Sequence, residues 1–429
     1  MKNADLCLVL PTQFRRRILF SALLTTLFIC QCQSQLRPPL VTITNADTVG
    51  YRFLNREENR IINPDALNRF FAKLYEQRTQ GGRIVHIVHV GDSHILGDYL
   101  TREVRDRMQK AFGDAGRGLL FPYKLAGSNG PRDFLASSSV RWAGSNCVRN
   151  LAEETHYGIS GFSLRSDAAK AELSLRLRDT TIAETKAFTK VTVFQYKTDD
   201  AFAVKVHDAE TKQDARLLFE GDSYSAFYFD RPVTHASVSA LRTGEGQRQL
   251  TLDGVSLENE LAGVVYHSIG VNGGKFSDFA RANRFASSLG AIQPDLIILS
   301  FGTNEAQGRS GPAALYDQME DLVGQLKEHC PNAAVMLTTP ADSYLRGKGF
   351  NPYMAEVSAV MRSYAADHQL PLWDLYNLGG GEQSAAMWKA NGLLSGDSVH
   401  YSRAGYAAQG KLFYQGLVQG YNEWVEGKP

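Results

Sequence analysis

Three stretches of this 429-residue chain contain Gly-Asp-Ser: "IVHIVHVGDSHILGDYL" at 84–100, "LFEGDSYSAFYF" and "LLSGDSVHYS". A serine hydroxyl attacks a carbonyl when a histidine takes its proton, and a carboxylate on the other ring nitrogen holds that histidine in the right tautomer. In "GDSVHYSRAGY", Asp397 and His400 stand three apart, so one short loop can present both. The serine they would serve is Ser93. It follows an apolar run and precedes a helical pattern, which is where an α/β sheet offers residues to a ligand. Gly221, Asp222 and Ser223 lie between two alternating segments, where glycine and aspartate are ordinary turn residues. The third tripeptide matters for Asp397, not for Ser398.

Attack on a carbonyl also creates an oxyanion that needs donors. "LSFGTNEAQG" closes an apolar run with Gly302, Thr303 and Asn304, placing an amide side chain at the same sheet edge as Ser93. "HSIGVNGGKFSDF" closes another run in glycines, where the N–H of Gly273 can come close to a substrate, with Gly270 and Gly274 nearby. Four strand ends thus supply Ser, Gly, Asn and Asp-x-x-His, in that order.

The elements that must position these residues are legible as hydrophobic periodicity. "DALNRFFAKLYEQRTQGG" has helical spacing closed by two glycines, "RIVHIVHV" is a buried strand, and "DYLTREVRDRMQKAFGD" is helical again. From 162 to 261 the texture alternates, in "ELSLRLRD", "KVTVFQYK", "AFAVKVHD", "ARLLFEGD", "YSAFYFD", "HASVSALR" and "RQLTLDGVSLEN". Short, evenly spaced strands of this kind predict an all-β sandwich or jelly roll. Strand and helix then alternate once more: "GVVYHSIG", "FSDFARANRFASSL", "DLIILSF", "AALYDQMEDLVGQLKEH", "AAVMLTT", "MAEVSAVMRSYAADH", "PLWDL" and a last helix that Ser402 can cap. The expected fold class is α/β, a doubly wound parallel sheet of flavodoxin-like, three-layer form, interrupted by an all-β unit.

Lys plus Arg number 46 against 45 Asp plus Glu, with no run of like charge, so neither nucleic acid nor an acidic membrane is indicated as a partner. The amino end differs from the rest. Arg15, Arg16 and Arg17 precede an apolar run at 18–30 that is too short for a stable transmembrane span, and small residues follow. This pattern predicts an export signal at 1–34, cut after Ser34, and hence a periplasmic or cell-envelope location. Cys30 and Cys32 leave a lipoprotein anchor open. After them only Cys147 and Cys330 remain among the protein's cysteines downstream, either paired or as two buried thiols. The organisation expected is a signal segment at 1–34, a linker at 35–60, an α/β piece at 61–161, the β unit at 162–261 and the second α/β piece at 262–429.

The ordered blocks "GDSH", "GVNGG", "GTNE" and "DSVH" resemble the SGNH hydrolases, also called the GDSL family. The resemblance spans both α/β pieces. It implies an ester hydrolase with Ser93, Asp397 and His400 as catalytic residues, and Ser93, Gly273 and Asn304 as oxyanion donors. No metal or organic cofactor is implied. His94 after the nucleophile, the β insertion between the first two blocks, "FGDAGRGLLFPYK" and "GISGFSL" are similar to the peptidoglycan O-acetylesterase branch, whose insert is like a carbohydrate-binding module. That branch implies an O-acetylated glycan as substrate. The same residues would serve an acetylesterase for xylan or an exopolysaccharide, or an O-acetyltransferase if water were excluded. A non-catalytic glycan-binding envelope protein is the reading from a different class.

Other residues have plainer expectations. His86 and His89 stand three apart on a strand and so face opposite sides, which disfavours a shared metal. His94 is read as shaping the pocket, and His267 as a core or rim residue. Phe194, Tyr196, Tyr224, Phe227 and Tyr228 could form a sugar-stacking platform or sandwich core.

Overall fold

The computed structural model describes residues 38–47, 49–149, 156–178 and 187–428. The export signal, its cut after Ser34, and Cys30 and Cys32 lie outside these residues. Among the described residues no helix is long and apolar enough to cross a membrane.

Five apolar runs form a parallel sheet in the spatial order Leu372–Trp373, Ala334–Thr338, Leu296–Ser300, Ile84–Gly91, Gly263–Gly270. In chain order this is 2-1-3-4-5, the flavodoxin-like arrangement. Ile61–Ile62 adds an antiparallel edge beside Leu372–Trp373. The two faces of Ile84–Gly91 go to different cores, as strand alternation requires. Val85 and Ile87 pack under the helices Asn68–Thr79, Tyr99–Phe112 and Arg403–Glu426. Val88 and Val90 belong to the core that also takes in the helices Pro312–His329 and Tyr353–Asp367 and the β unit. Helices on both faces exclude water from the sheet, which explains why its strands are continuous apolar runs.

The segment expected to be one helix from Phe276 is two, Phe276–Ala280 and Phe285–Gly290. Phe279 and Phe285 are both buried, and the break lets Arg284 reach Asp253 of the β unit at 3.0 Å.

All seven alternating segments read between 162 and 261 contain strands of two antiparallel sheets that share one apolar core. The sheets begin earlier than expected. Gly118–Leu120 pairs with Leu250–Glu258, Phe134–Ser137 with Glu172–Leu177, and Ala143–Asn146 with Phe162–Ser166. The β unit therefore starts near residue 118 and not at 162. Those early strands are short and rich in Gly and Ser, so their alternation is too brief to read. The expected linker also differs, because Val41, Val49 and Leu54 within it are buried in the core under the last helix. Val41 exchanges two hydrogen bonds with the Asn422 side chain, and Tyr421 donates to the Pro39 carbonyl, fastening the segment to the last helix. Cys147 and Cys330 are separate buried thiols. Of the five aromatics, Phe194 and Phe227 are core, Tyr224 stacks on Phe219 at 4.8 Å, and Tyr196 lies beneath the Arg284 guanidinium. Tyr228 lies beneath the Arg216 guanidinium, and with Phe194 and Phe227 buried the five do not form one exposed platform.

A buried tetrad ties the β unit to the start of the helix after Ser93. Arg105 donates to Asp98 at 2.7 Å, Arg117 reaches Asp98 at 3.2 Å and Asp133 at 2.5 Å, and Arg105 lies 3.4 Å from Asp133. Burial pushes the Asp98 carboxyl up, but the two guanidiniums outweigh it and hold it well below the usual carboxylate range. Stripping one carboxylate from such a set leaves a buried cation uncompensated. Asp133→Ala is therefore expected to cost about 3 to 5 kcal/mol in urea unfolding, whereas Arg165→Ala, which breaks an exposed pair with Asp167, should change it by less than about 1. A small loss at Asp133 would mean that the tetrad does not hold the two parts together.

Candidate active site

The chain runs from Ile84–Gly91 to Gly263–Gly270 on one side, then crosses back to Leu296–Ser300 on the other. That reversal opens a crevice at the carboxyl ends of the strands. Ser93, Gly273 and Asn304 follow these three strand ends. Asp397 and His400 arrive from the loop before the last helix, whose first turn Ser402 caps through the Gly405 N–H.

Of the sequence-predicted residues, Ser93, Gly273, Asn304 and His400 line one cleft of about 500 Å³, with Thr303 and Arg346 among its other walls, and Asp397 joins through His400. Ser93 Oγ is 2.8 Å from His400 Nε2, and His400 Nδ1 is 2.6 Å from Asp397 Oδ2. The other carboxylate oxygen of Asp397 accepts from the backbone N–H groups of Val399 and His400 and from Ser395 Oγ. Burial raises the Asp397 carboxyl, but these hydrogen bonds outweigh it and leave it below its usual range. An ionised Asp397 accepts from Nδ1–H, which leaves Nε2 as the lone-pair nitrogen facing the serine. This geometry can transfer a proton from Ser93 to His400.

Asp92 makes the local turn. It caps the single helical turn Ser93–Leu96 by accepting from the His94 N–H at 2.8 Å, and its other oxygen accepts from Asn304 Nδ2 at 3.0 Å. Asn304 Nδ2 also donates to the Gly274 carbonyl at 3.0 Å, so both amide hydrogens are engaged. An oxyanion in the cleft would have to share one of them. Glu305 ties the remaining ends, accepting from the Gly302 and Phe276 N–H groups at 2.9 Å each. Burial pushes the Asp92 carboxyl up to about 8 and that of Glu305 up to about 7, against the pull of their backbone donors. Gly273 has φ +81, a left-handed conformation that favours glycine. Gly270 serves differently, because a Cβ there would lie 2.3 Å from the Leu96 nitrogen.

The remaining expectations resolve into packing. Gly221 donates to the Tyr224 carbonyl in a turn, and Ser398 Oγ takes the Lys389 ammonium. His94 bonds Tyr406 through Nδ1 at 3.0 Å, and its ring lies 5.1 Å from that of His400. Burial lowers its pKa to about 3, with the neighbouring His400 adding to the shift, so it is an uncharged wall of the site. His86 and His89 face opposite sides: His86 meets His267 at 3.1 Å, and His89 meets Tyr266 at 2.7 Å. His267 accepts from the Leu119 N–H and is a satisfied core residue. Sequence reasoning missed Asp92, Glu305, Gln307 and Arg346. Asp92 was in view inside the tripeptide, and Gln307 stands one helical turn after Asn304, a spacing that shares a face. Arg346 had no local signal.

A model described as the GDSL-like lipase/acylhydrolase family matches residues 219–408, which include Gly273, Asn304, Asp397 and His400 but not Ser93. No curated protein matches the chain. A solved structure described as a peptidoglycan O-acetylesterase in action superposes with a TM-score of 0.71 at 21% identity, over 85% of this chain and 99% of that one. A lipase/acylhydrolase from Enterococcus faecalis matches at 22% identity over 37% of this chain and 77% of that one, with a TM-score of 0.30. Est24, a carbohydrate acetylesterase from Sinorhizobium meliloti, matches at 17% over 35% and 77%, with a TM-score of 0.26. Only the first of these scores is high enough to bear on the fold, and it supports the doubly wound sheet carrying additional β strands.

The raised carboxyl of Asp92 has a consequence for stability. Between its ordinary pKa near 4 and about 8, the folded state binds a proton that the unfolded state has released. This contribution is complete below pH 4 and is lost as pH rises through 8. The urea midpoint of the native protein should therefore fall from pH 5 to pH 8, and Asp92→Asn should flatten that fall. An equal slope in both proteins would place the buried proton elsewhere.

Proposed function

We propose that this chain, whose residues 219–408 match the GDSL-like lipase/acylhydrolase model, is a carboxylic ester hydrolase that removes O-acetyl groups from peptidoglycan through Ser93, His400 and Asp397. The observation that carries the residue assignment is the continuous chain of contacts from Ser93 Oγ to His400 Nε2 and from His400 Nδ1 to Asp397. The substrate assignment is supported by the likeness over most of both chains to the peptidoglycan O-acetylesterase structure and by the β unit set into the same fold.

In this reading His400 takes the Ser93 proton as Oγ attacks the acetyl carbonyl. The oxyanion receives the Ser93 and Gly273 N–H groups and one Asn304 amide hydrogen, which turns from the Gly274 carbonyl. His400 then gives the proton to the departing sugar oxygen, leaving acetyl-Ser93. Water, deprotonated by the same imidazole, attacks the acetyl-enzyme and releases acetate. Asp397 stabilises the imidazolium throughout without itself becoming protonated. We also propose export to the cell envelope, on the strength of the basic and apolar segment before Gln35.

Acetate release from O-acetylated peptidoglycan and from acetylated xylan, measured side by side, tests the function. Release should come from peptidoglycan in preference to xylan. Ser93→Ala should lower it by about a thousandfold or more, and Asn304→Ala by roughly a hundred- to thousandfold in kcat. Activity that survives the loss of Ser93 would overturn the residue assignment, and a preference for xylan would overturn the substrate.

A further inference from the structure

Among the described residues lining the cleft with Ser93, Arg346 alone carries a permanent charge. It stands in the exposed turn of a small hairpin, Tyr344–Leu345 with Gly349–Phe350. The hairpin's backbone is tied on two sides to the chemistry. Gln307, on the same short helix as Asn304, accepts from the Arg346 N–H at 3.0 Å and donates to the Tyr344 carbonyl at 2.7 Å. Tyr344 in turn donates to the Ser398 carbonyl at 3.0 Å, inside the loop that carries Asp397 and His400. The base of this hairpin is thus held against both halves of the candidate site.

Among the described residues no carboxylate pairs with the Arg346 guanidinium. The ion pairs Arg281 with Asp278, Arg362 with Asp374 and His400 with Asp397 do not include it. An arginine that faces a reaction cleft without an internal partner offers a planar fork suited to a carboxylate. Lys348 lies two residues further along the hairpin but outside the cleft lining, and Lys389 is occupied by Ser398 and the face of Tyr344.

We propose that Arg346 is a specificity residue that binds a carboxylate carried by the sugar, or by a chain attached to it, next to the acetyl ester. This rests on the esterase reading of Ser93 and His400 and adds to it a reason for an anionic glycan over a neutral one. Because the contact is made by a part of the substrate that does not react, its effect falls mainly on KM and less on kcat.

The test uses two sugars that differ only in the 3-O-lactyl group that carries the acid, 6-O-acetyl-N-acetylmuramic acid and 6-O-acetyl-N-acetylglucosamine, with 4-nitrophenyl acetate as a neutral reference. The native protein should favour the acid by about tenfold in kcat/KM, the scale of one charge-assisted hydrogen bond. Arg346→Ala should remove that preference, Arg346→Glu should reverse it, and Lys348→Ala should keep it. Ser93-dependent hydrolysis of all three esters with no preference between the sugars would overturn the role of Arg346 alone. Equal losses on both sugars in Arg346→Ala, or an equal loss of preference in Lys348→Ala, would overturn it as well. If no ester were turned over in a Ser93-dependent way, the site reading itself would fall and this inference with it.

Discussion

Two buried carboxylates hold the ends of three strands in one place, and the geometry of the cleft depends on them. Asp92 bonds its own turn and the Asn304 amide, and Glu305 bonds the backbone at Gly302 and Phe276. Loops leaving a parallel sheet are otherwise free to splay, since nothing in the ladder fixes them beyond the last residue pair. Here each is fastened to a neighbour by an acceptor that burial has already stripped of water. The cost of desolvating two acids is offset by N–H groups that would themselves be unsatisfied without them. The result is a rigid frame in which Ser93, Gly273 and Asn304 keep their relative positions before any substrate arrives.

The histidine side of the site is built differently. Asp397 and His400 are partly exposed, and their order comes from a short loop whose backbone folds onto the carboxylate. His94 stands against the imidazole as an uncharged ring, itself held by the Tyr406 hydroxyl. A neutral wall matters there, because a second positive charge beside His400 would oppose the imidazolium that proton transfer creates. The frame is thus buried and acidic on the oxyanion side, and open and locally wrapped on the base side.

The parallel strands were readable because burial on both faces writes them as unbroken apolar runs, and "GVVYHSIG" matches Gly263–Gly270 residue for residue. Ser93, Gly273, Asn304, Asp397 and His400 were readable because each stands at the end of such a run or just before a capped helix. The early strands of the β unit were not, because Ala143–Asn146 is "AGSN", with no alternation to see. The burial of Val41, Val49 and Leu54 was hidden for a related reason. The segment's partners lie far away in sequence, on the final helix and at Leu378 and Trp388, and its own composition is that of a tether. Arg346 shows the general limit. A cleft residue supplied by a turn has no periodicity, and only the fold reveals what it stands beside.

The place where the β unit leaves and rejoins the sheet bears on how the molecule folds. Gly118–Leu120, on the way in, pairs directly with Leu250–Glu258, on the way out: Leu120 lies opposite Val255 and Gly118 opposite Leu257. Once that pair has formed, the long excursion between them counts as a short bridge, because its ends are already side by side. Loop-closure entropy grows only slowly with length, and a folded insert with adjoining ends removes most of what remains. The parallel strands Ile84–Gly91 and Gly263–Gly270 can then find each other almost as if they were joined by a short crossover. The pairing of its two ends thus makes the β unit a clasp that brings the two halves of the parallel sheet into register.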